Sequence, residues 1–415
     1  NRSTGASVTL TLPVDEMEVK MISTAAELAA IDDDLESLND YYILTADIDL
    51  AGVEWEPIGN DTDPGGPGVE EPFVGVFDGA GHTISNLVLD NTSGTMEGGN
   101  VGLFQSLGNY GVSSGTVRNV HLQGVTIVSH GDQFELAGPL CALNFGLIEN
   151  CTITGTVYPI PFSAGDSSMS GLVGRNEGVI RDSSTTVTIF ASGGAGGLSA
   201  VNSSNGEVIN CHADGDIVEA DGMQGDRLGG LVALNGGIIR DSFATGDVSG
   251  HDEIGGLIGH MEMGEVENCW ASGTVTGDTD VGGLIGALAD DFADRTATVR
   301  DSYSISAVSG SMNVGGLIGS LGRSSNTTTI TGCHASGSVF GGPNVGGLVG
   351  LATNTTISES FADGTLLTGV SVGGLVGMFN SGEISRCYTN VAFAYVEGFF
   401  ATLGGLVGTN HGTIS

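Results

Sequence analysis

From residue 40 onward, the apolar residues of this chain come in bursts of about five. The bursts are rich in Val, Ile, Leu and Thr and are closed at each end by Gly, Asn, Asp or Ser. Residues 229–250 read LGGLVAL, GGIIRDSFATG and DVSG in succession, and residues 281–309 carry the same parts as VGGLIG, TATVRDSYSIS and AVSG. Short β-branched pieces between turn formers are strand chemistry with turn punctuation. None of them holds a 3.6-residue apolar period, so helices are not the repeating element.

The phrase Gly-Gly-Leu-Val/Ile-Gly and its variants recur eleven times, with the second glycine at Gly102, Gly138, Gly171, Gly197, Gly230, Gly256, Gly283, Gly316, Gly347, Gly374 and Gly405. The intervals run from 26 to 36 residues, a period that signals a solenoid. Three short strands per unit, each paired with its equivalent in the next unit, predict an all-β, three-sided parallel β-helix of about eleven rungs over residues 75–415. At a strand spacing of about 4.8 Å the rod is on the order of 50 Å long. The glycines are expected to allow positive φ at corners and close approach of backbones. A β-sandwich is the structural runner-up, but it does not require a near-constant repeat.

Residues 14–74 read as a cap. Residues 24–38, TAAELAAIDDDLESL, predict a helix opened by Thr24 with Glu27, with Leu28, Ile31, Leu35 and Leu38 on one face. Laid over the first rung, that helix covers an exposed parallel edge. Ahead of it, residues 1–13 hold a candidate free strand with Val8, Leu10 and Leu12 on one side, ended by Pro13. At the other end, Leu406, Val407 and Ile414 belong to a unit whose second strand is begun and left unfinished.

Written as one line, GGLVG.N.G.I..C...G.V.G resembles the GLUG motif, over roughly residues 75–415. The resemblance implies a right-handed β-solenoid of large secreted, surface-attached proteins. These include adhesins and the non-catalytic regions of some bacterial IgA-cleaving metallopeptidases. It carries no catalytic residues to transfer.

Aligned on their second strand, the units show one further column: Cys151, Ser183, Cys211, Ser242, Cys269, Ser302, Cys333, Ser360, Cys387. Small residues suit a column that points into a narrow core. Alternation sets the cysteines roughly 10 Å apart, beyond the reach of a disulfide. Five reduced, buried thiols are therefore expected, with Cys141, outside the column, unpaired as well. The competing reading is a disulfide-stapled secreted protein.

Composition sharpens the picture. The chain has 71 glycines among 415 residues, 49 acids against 11 bases and a net charge of −38. Such a balance makes nucleic acid an improbable partner. Lys20 is the only lysine; an acidic, lysine-poor chain reads as one kept soluble in strong brine. No apolar run reaches the length of a membrane span. The start at Asn1 reads as a mature, secreted protein with its leader removed. Seven Asn-X-Ser/Thr sequons, at Asn1, Asn60, Asn91, Asn150, Asn202, Asn326 and Asn354, permit glycosylation.

There is no His-Glu-x-x-His, Gly-x-Ser-x-Gly or phosphate-loop motif, so no enzymatic activity and no cofactor is expected. A polysaccharide-acting enzyme is the minor alternative. Acidic turns at Asp278 with Asp280, and at Asp61 with Asp63, are weak calcium candidates. His212 and His334 share a position with Phe243, Trp270, Tyr303, Phe361 and Tyr388, and read as outward or corner fillers. The leading functional expectation is a subunit of a head-to-tail surface filament, in which the strand at Val8–Leu12 of one copy completes the last rung of another. The alternative is a stalk or adhesin piece of a larger surface protein. Partners are then copies of the chain itself, with cell-surface or environmental glycans as further candidates.

Overall fold

The computed structural model describes residues 19–32, 37–59, 72–90, 100–109, 115–129, 136–159, 168–288, 296–322, 328–367, 370–394 and 402–415. The chain winds into a parallel β-solenoid, as the strand pattern predicts. One rung shows the plan. Asp252–Gly255 lies on a first face and Ile258–Met261 on a second. Gly264–Glu267 forms the third, and Trp270–Ala271 with Thr274–Thr276 the fourth. Each segment pairs in parallel with its equivalent one rung on, as in Ile254 with Val281, Ile258 with Ile285, Val266 with Val299 and Trp270 with Tyr303.

Among the described residues the second face has eleven strands, from Phe104–Leu107 to Val407–Asn410, one for each glycine phrase, so ten turns separate its ends, and the first face has ten strands and the third fourteen. The inward residues of the rung, Ile254, Leu257, Ile258, Val266, Cys269, Ala271 and Val275, are all fully buried. They form one apolar layer of a core that runs the length of the rod.

The sequence pattern suggested three strands per unit, with VGGLIG as one of them. That piece bends at its Gly-Leu step instead, and its halves fall on the first and second faces. The reason is visible in the glycines. A Cβ on Gly259 would lie 2.5 Å from the Arg227 carbonyl carbon, and one on Gly286 would lie 2.5 Å from the Ile254 nitrogen. A side chain on Gly255 would run into the Ile258 carbonyl oxygen. The first and second faces therefore meet backbone to backbone, along a seam that admits no side chain. Close approach accounts for these glycines. Positive φ at the corner between the third and fourth faces is carried instead by Asn150, Asp182, Asn210, Asp241, Asn268 and Asp301, at 50–53°.

The N-terminal end is closed by Val19–Ile22 and Tyr41–Leu44, which extend the third face beyond Val76–Asp78. The helix expected over residues 24–38 is shorter. An α-helix spans Ala25–Ala29, and 3₁₀ turns cover Ala30–Asp32 and Ser37–Asn39. Thr24 accepts the Glu27 N–H at 3.2 Å as the N-cap. The Ala30 N–H donates back to the Ala26 carbonyl as the last bond of the helix, and a 3₁₀ turn over Ala30–Asp32 follows. Leu28, Ile31 and Leu38 are nevertheless buried, so the apolar spacing read as one helix serves two short turns that plug the same end. Leu35 lies outside the described residues. Beneath the plug Phe73, Phe77 and Phe104 pack with centroids 5.1 and 5.4 Å apart.

The glycine seam yields a direct test. Gly286→Ala is expected to lose on the order of 3 kcal/mol of unfolding free energy, because backbone on both sides cannot yield. Gly236→Ala, whose Cβ would have its nearest neighbour at 3.6 Å, is expected to change stability little. Denaturant unfolding followed by circular dichroism compares the two.

Candidate functional site

Five columns of equivalent residues carry the chemistry of the rod. The first is the cysteine and serine column at the corner between the third and fourth faces. There the left-handed residue turns the chain and leaves a backbone N–H pointing along the rod axis. The Ser183 hydroxyl accepts that N–H from Cys151 at 3.1 Å, and Ser242, Ser302 and Ser360 do the same for Cys211, Cys269 and Cys333 at 3.0–3.1 Å. Each serine hydroxyl donates in turn to the carbonyl two residues before it, at 2.7–2.9 Å. The thiols donate likewise, Cys269 to the Glu267 carbonyl at 3.1 Å.

All six cysteines are free, five buried and Cys387 half-buried. Burial pushes the thiols of Cys151, Cys211, Cys269 and Cys333 up to about 12, against weaker lowering by backbone hydrogen bonds. The residue before each column position alternates as well: Asn210 donates to Asp182 at 2.6 Å, and Asn268 donates to Asp241.

The second column is a stack of seven rings on the outer surface of the fourth face: His212, Phe243, Trp270, Tyr303, His334, Phe361 and Tyr388. Successive centroids are 4.4–6.0 Å apart and successive planes lie within 3–8° of parallel. The rings turn their faces to one another and their edges outward, so the row is first a stacking ladder. Burial within it lowers the basicity of His334, which keeps that imidazole neutral near pH 7. The sequence named all seven residues without indicating that they touch.

The third column, on the third face, alternates in charge: Asp78, Arg118, Glu149, Arg181, then Arg240, Glu267 and Arg300 after Ile209. Arg118 meets Asp78 at 2.9 Å, Arg181 meets Glu149 at 2.6 Å and Arg300 meets Glu267 at 2.8 Å. The arginines that look scattered in sequence are thus ordered in register and paired.

A fourth column lies inside. Asn144, Asn176, Asn202 and Asn235 are fully buried, and each side-chain amide donates to the next at 2.7–2.9 Å. The glycosylation expectation at Asn202 is thereby corrected, because its amide nitrogen is spent inside the core and a glycan there is incompatible with the fold. Asn150 is exposed and Asn354 half-buried; Asn1, Asn60, Asn91 and Asn326 lie outside the described residues.

The calcium candidates do not converge. Asp280 is buried and accepts from Asn313 at 2.7 Å in a fifth column, while Asp278 is exposed and accepts from Ser311. Asp61 and Asp63 lie outside the described residues, as do Val8, Leu10 and Leu12. At the C-terminal rung Leu403 is 59% and Ile414 45% exposed, whereas their counterparts Val372 and Ile384 are 2% and 1%. Leu406 and Val407 are only partly covered.

Residues 341–366 match the family profile for the GLUG motif. The chain carries the GLUG motif. Its positions now have physical meanings: in the matched segment Gly346 and Gly347 line the seam, Leu348 fills the sharp bend and Ser360 closes the corner. The chain is similar to Halomucin of Haloquadratum walsbyi, 37% identical over 177 residues that make up 40% of this chain and 2% of that protein. It is also similar to a protein described as a Gly-rich membrane protein in Evansella cellulosilytica, 33% identical over 26% of this chain and 11% of that one. The matches therefore span only small parts of these relatives. A solved structure from Bacteroides ovatus described as an immunoglobulin A1 protease aligns over 95% of this chain, with 18% identity and a TM-score of 0.25. That likeness carries no argument. Among the described residues no helix is long and apolar enough to cross a membrane.

Two outcomes follow for the GLUG columns. The native protein is expected to leave the column thiols unmodified by a thiol reagent at neutral pH and to release six thiols when denatured. A cysteine thiol ionises near 9 in the unfolded chain and near 12 in the folded column. The stabilisation is therefore full below pH 9 and is lost as pH rises from 9 towards 12, which unfolding curves across that window measure. Trp270→Ala removes stacking on Phe243 and Tyr303, at about 0.5–1.5 kcal/mol for each contact. Its unfolding midpoint is expected to fall while the glycine seam and its spectrum stay intact.

Proposed function

We propose that this chain is a non-catalytic structural rod of the cell surface, extended end to end by β-strand addition at its C-terminal rung. The carrying observation is the exposure of Leu403 and Ile414, with the partial exposure of Leu406 and Val407, at positions that every neighbouring rung buries. A parallel edge of this kind offers unpaired backbone groups and an apolar layer, and another β-rung is the surface that matches both. The segment carrying Val8, Leu10 and Leu12 of a second copy is the proposed occupant. An extracellular setting is supported by the likeness to Halomucin and to a Gly-rich membrane protein. Work in strong brine is supported by the net charge of −38 with a single lysine.

A second reading has its own support. The matched segments occupy 2% and 11% of the relatives' lengths, which favours a rung continued within a longer polypeptide as a stalk or adhesin. Sedimentation and negative-stain microscopy of the purified chain in molar salt separate the two. Filaments that lengthen with concentration are expected, and both Ile414→Asp and removal of residues 1–13 are expected to abolish them. Single rods of one length at every concentration would sink the filament reading and leave the stalk.

A further inference from the structure

We propose that Asp226, His251 and Asp252 form a binding site for a divalent ion of the zinc, nickel and copper class. The three residues sit on consecutive rungs at the corner between the fourth and first faces. His251 Nδ1 lies 3.2 Å from Asp226 Oδ1 and 3.4 Å from Asp252 Oδ2. The three ligand atoms all fall within 4.8 Å of one another. A four-coordinate ion with bonds of 2.0–2.2 Å holds its donors about 3.3–3.6 Å apart, and the two separations from His251 Nδ1 are close to that range.

An ordinary ion pair accounts for the arrangement less well. Two carboxylates converge on one Nδ1, where a single N–H would have to be shared between them, and Asp226 Oδ1 also accepts the Asp252 N–H at 3.1 Å. Asp252 Oδ1, moreover, is shielded from solvent and has no hydrogen-bond partner. An ion seated between Nδ1 and the carboxylates satisfies both acids together, with Asp252 Oδ1 beside the bound oxygen. The far side of the ring supplies an independent observation. His251 Nε2 faces Asp278 Oδ2 at 3.6 Å, and Asp278 is itself held by the Ser311 hydroxyl at 3.2 Å. A carboxylate behind the second ring nitrogen is the arrangement that orients a metal-ligating histidine and fixes its tautomer.

The backbone preorganises the set. The His251 N–H donates to the Gly225 carbonyl at 2.8 Å and the Arg227 N–H to the Asp252 carbonyl at 2.9 Å, which locks the two rungs in register. One imidazole with two carboxylates favours borderline transition ions over calcium, whose sites are built from oxygen alone. Asp278, a calcium candidate on sequence grounds, becomes the residue that positions the histidine.

The test uses the whole chain, stripped with a chelator and titrated calorimetrically with zinc chloride, nickel chloride and, separately, calcium chloride in molar salt. One zinc ion per chain is expected, with calcium weaker by at least tenfold. His251→Ala and Asp226→Asn are each expected to weaken zinc at least tenfold, and Asp278→Asn about tenfold through the ring it orients. His212→Ala, in the ring stack, should leave binding unchanged. Copper-loaded protein should show the electron paramagnetic signature of a single coordinated nitrogen, lost in His251→Ala. Circular dichroism confirms that each variant keeps its fold. No zinc binding, binding untouched by both His251→Ala and Asp226→Asn, or calcium binding as tight as zinc overturns the proposal.

Discussion

Everything in this rod depends on in-register hydrogen bonding between parallel rungs. Once each strand pairs with its own equivalent, every residue is placed at about 4.8 Å from its counterparts above and below. Each position must then be compatible with itself or with one alternate. Neutral groups can repeat: Asn144 to Asn235 pass one amide hydrogen bond along the core, and seven rings lie face to face outside it. Charged groups do so at a cost, because like charges at that spacing repel, and two columns avoid it by alternation. So arginine alternates with acid on the third face, and Asp182 and Asp241 alternate with Asn210 and Asn268 at the corner. The cysteine and serine alternation rides on that second rule. A serine follows each of these aspartates and a cysteine each of these asparagines, and the stronger hydroxyl acceptor takes the cysteine's stranded N–H.

The same constraint shapes the surface. On the third face Arg118, Arg181, Arg240 and Arg300 are drawn into an ordered column, where each neutralises acids on adjoining rungs. With 49 acids against 11 bases, a net charge of −38 is left over, and salt screens the part of it that lies exposed. A rod of this kind gains its rigidity from backbone and buried small residues. Its exterior is then free to vary column by column.

Much of this was legible in the sequence, and the reason is repetition. The period, the strand chemistry, the burial of the cysteine column and the identity of all seven ring positions follow from aligning the units. What repetition conceals is where a strand bends. VGGLIG is apolar throughout and reads as one strand, because a seam made of absent side chains leaves no mark beyond glycine itself. The helix at Ala25–Ala29 was overextended because Leu28, Ile31 and Leu38 keep helical spacing even when 3₁₀ turns bring them to the core. Asn202 reads as a glycosylation site because a local triplet does not reveal an amide ladder. Only its recurrence with Asn144, Asn176 and Asn235 does. The meeting of Asp226 with His251 and Asp252 was hidden in the same way, since residues 25 apart in sequence become neighbours only when the rungs stack.

The rungs also separate two properties that are usually bound together, the length of a repeat and its geometry. Between Met261 and Gly264 the chain crosses from the second face to the third in two residues, Glu262 and Met263. One rung later the same crossing, from Leu288 to Ala297, takes residues 289–296. Yet Met261 still pairs with Leu288, and Gly264 with Ala297. Insertions at that corner are silent to the ladders. The spine can thus keep its pitch while its outline drifts, and a lineage can change what the rod displays without renegotiating how it folds.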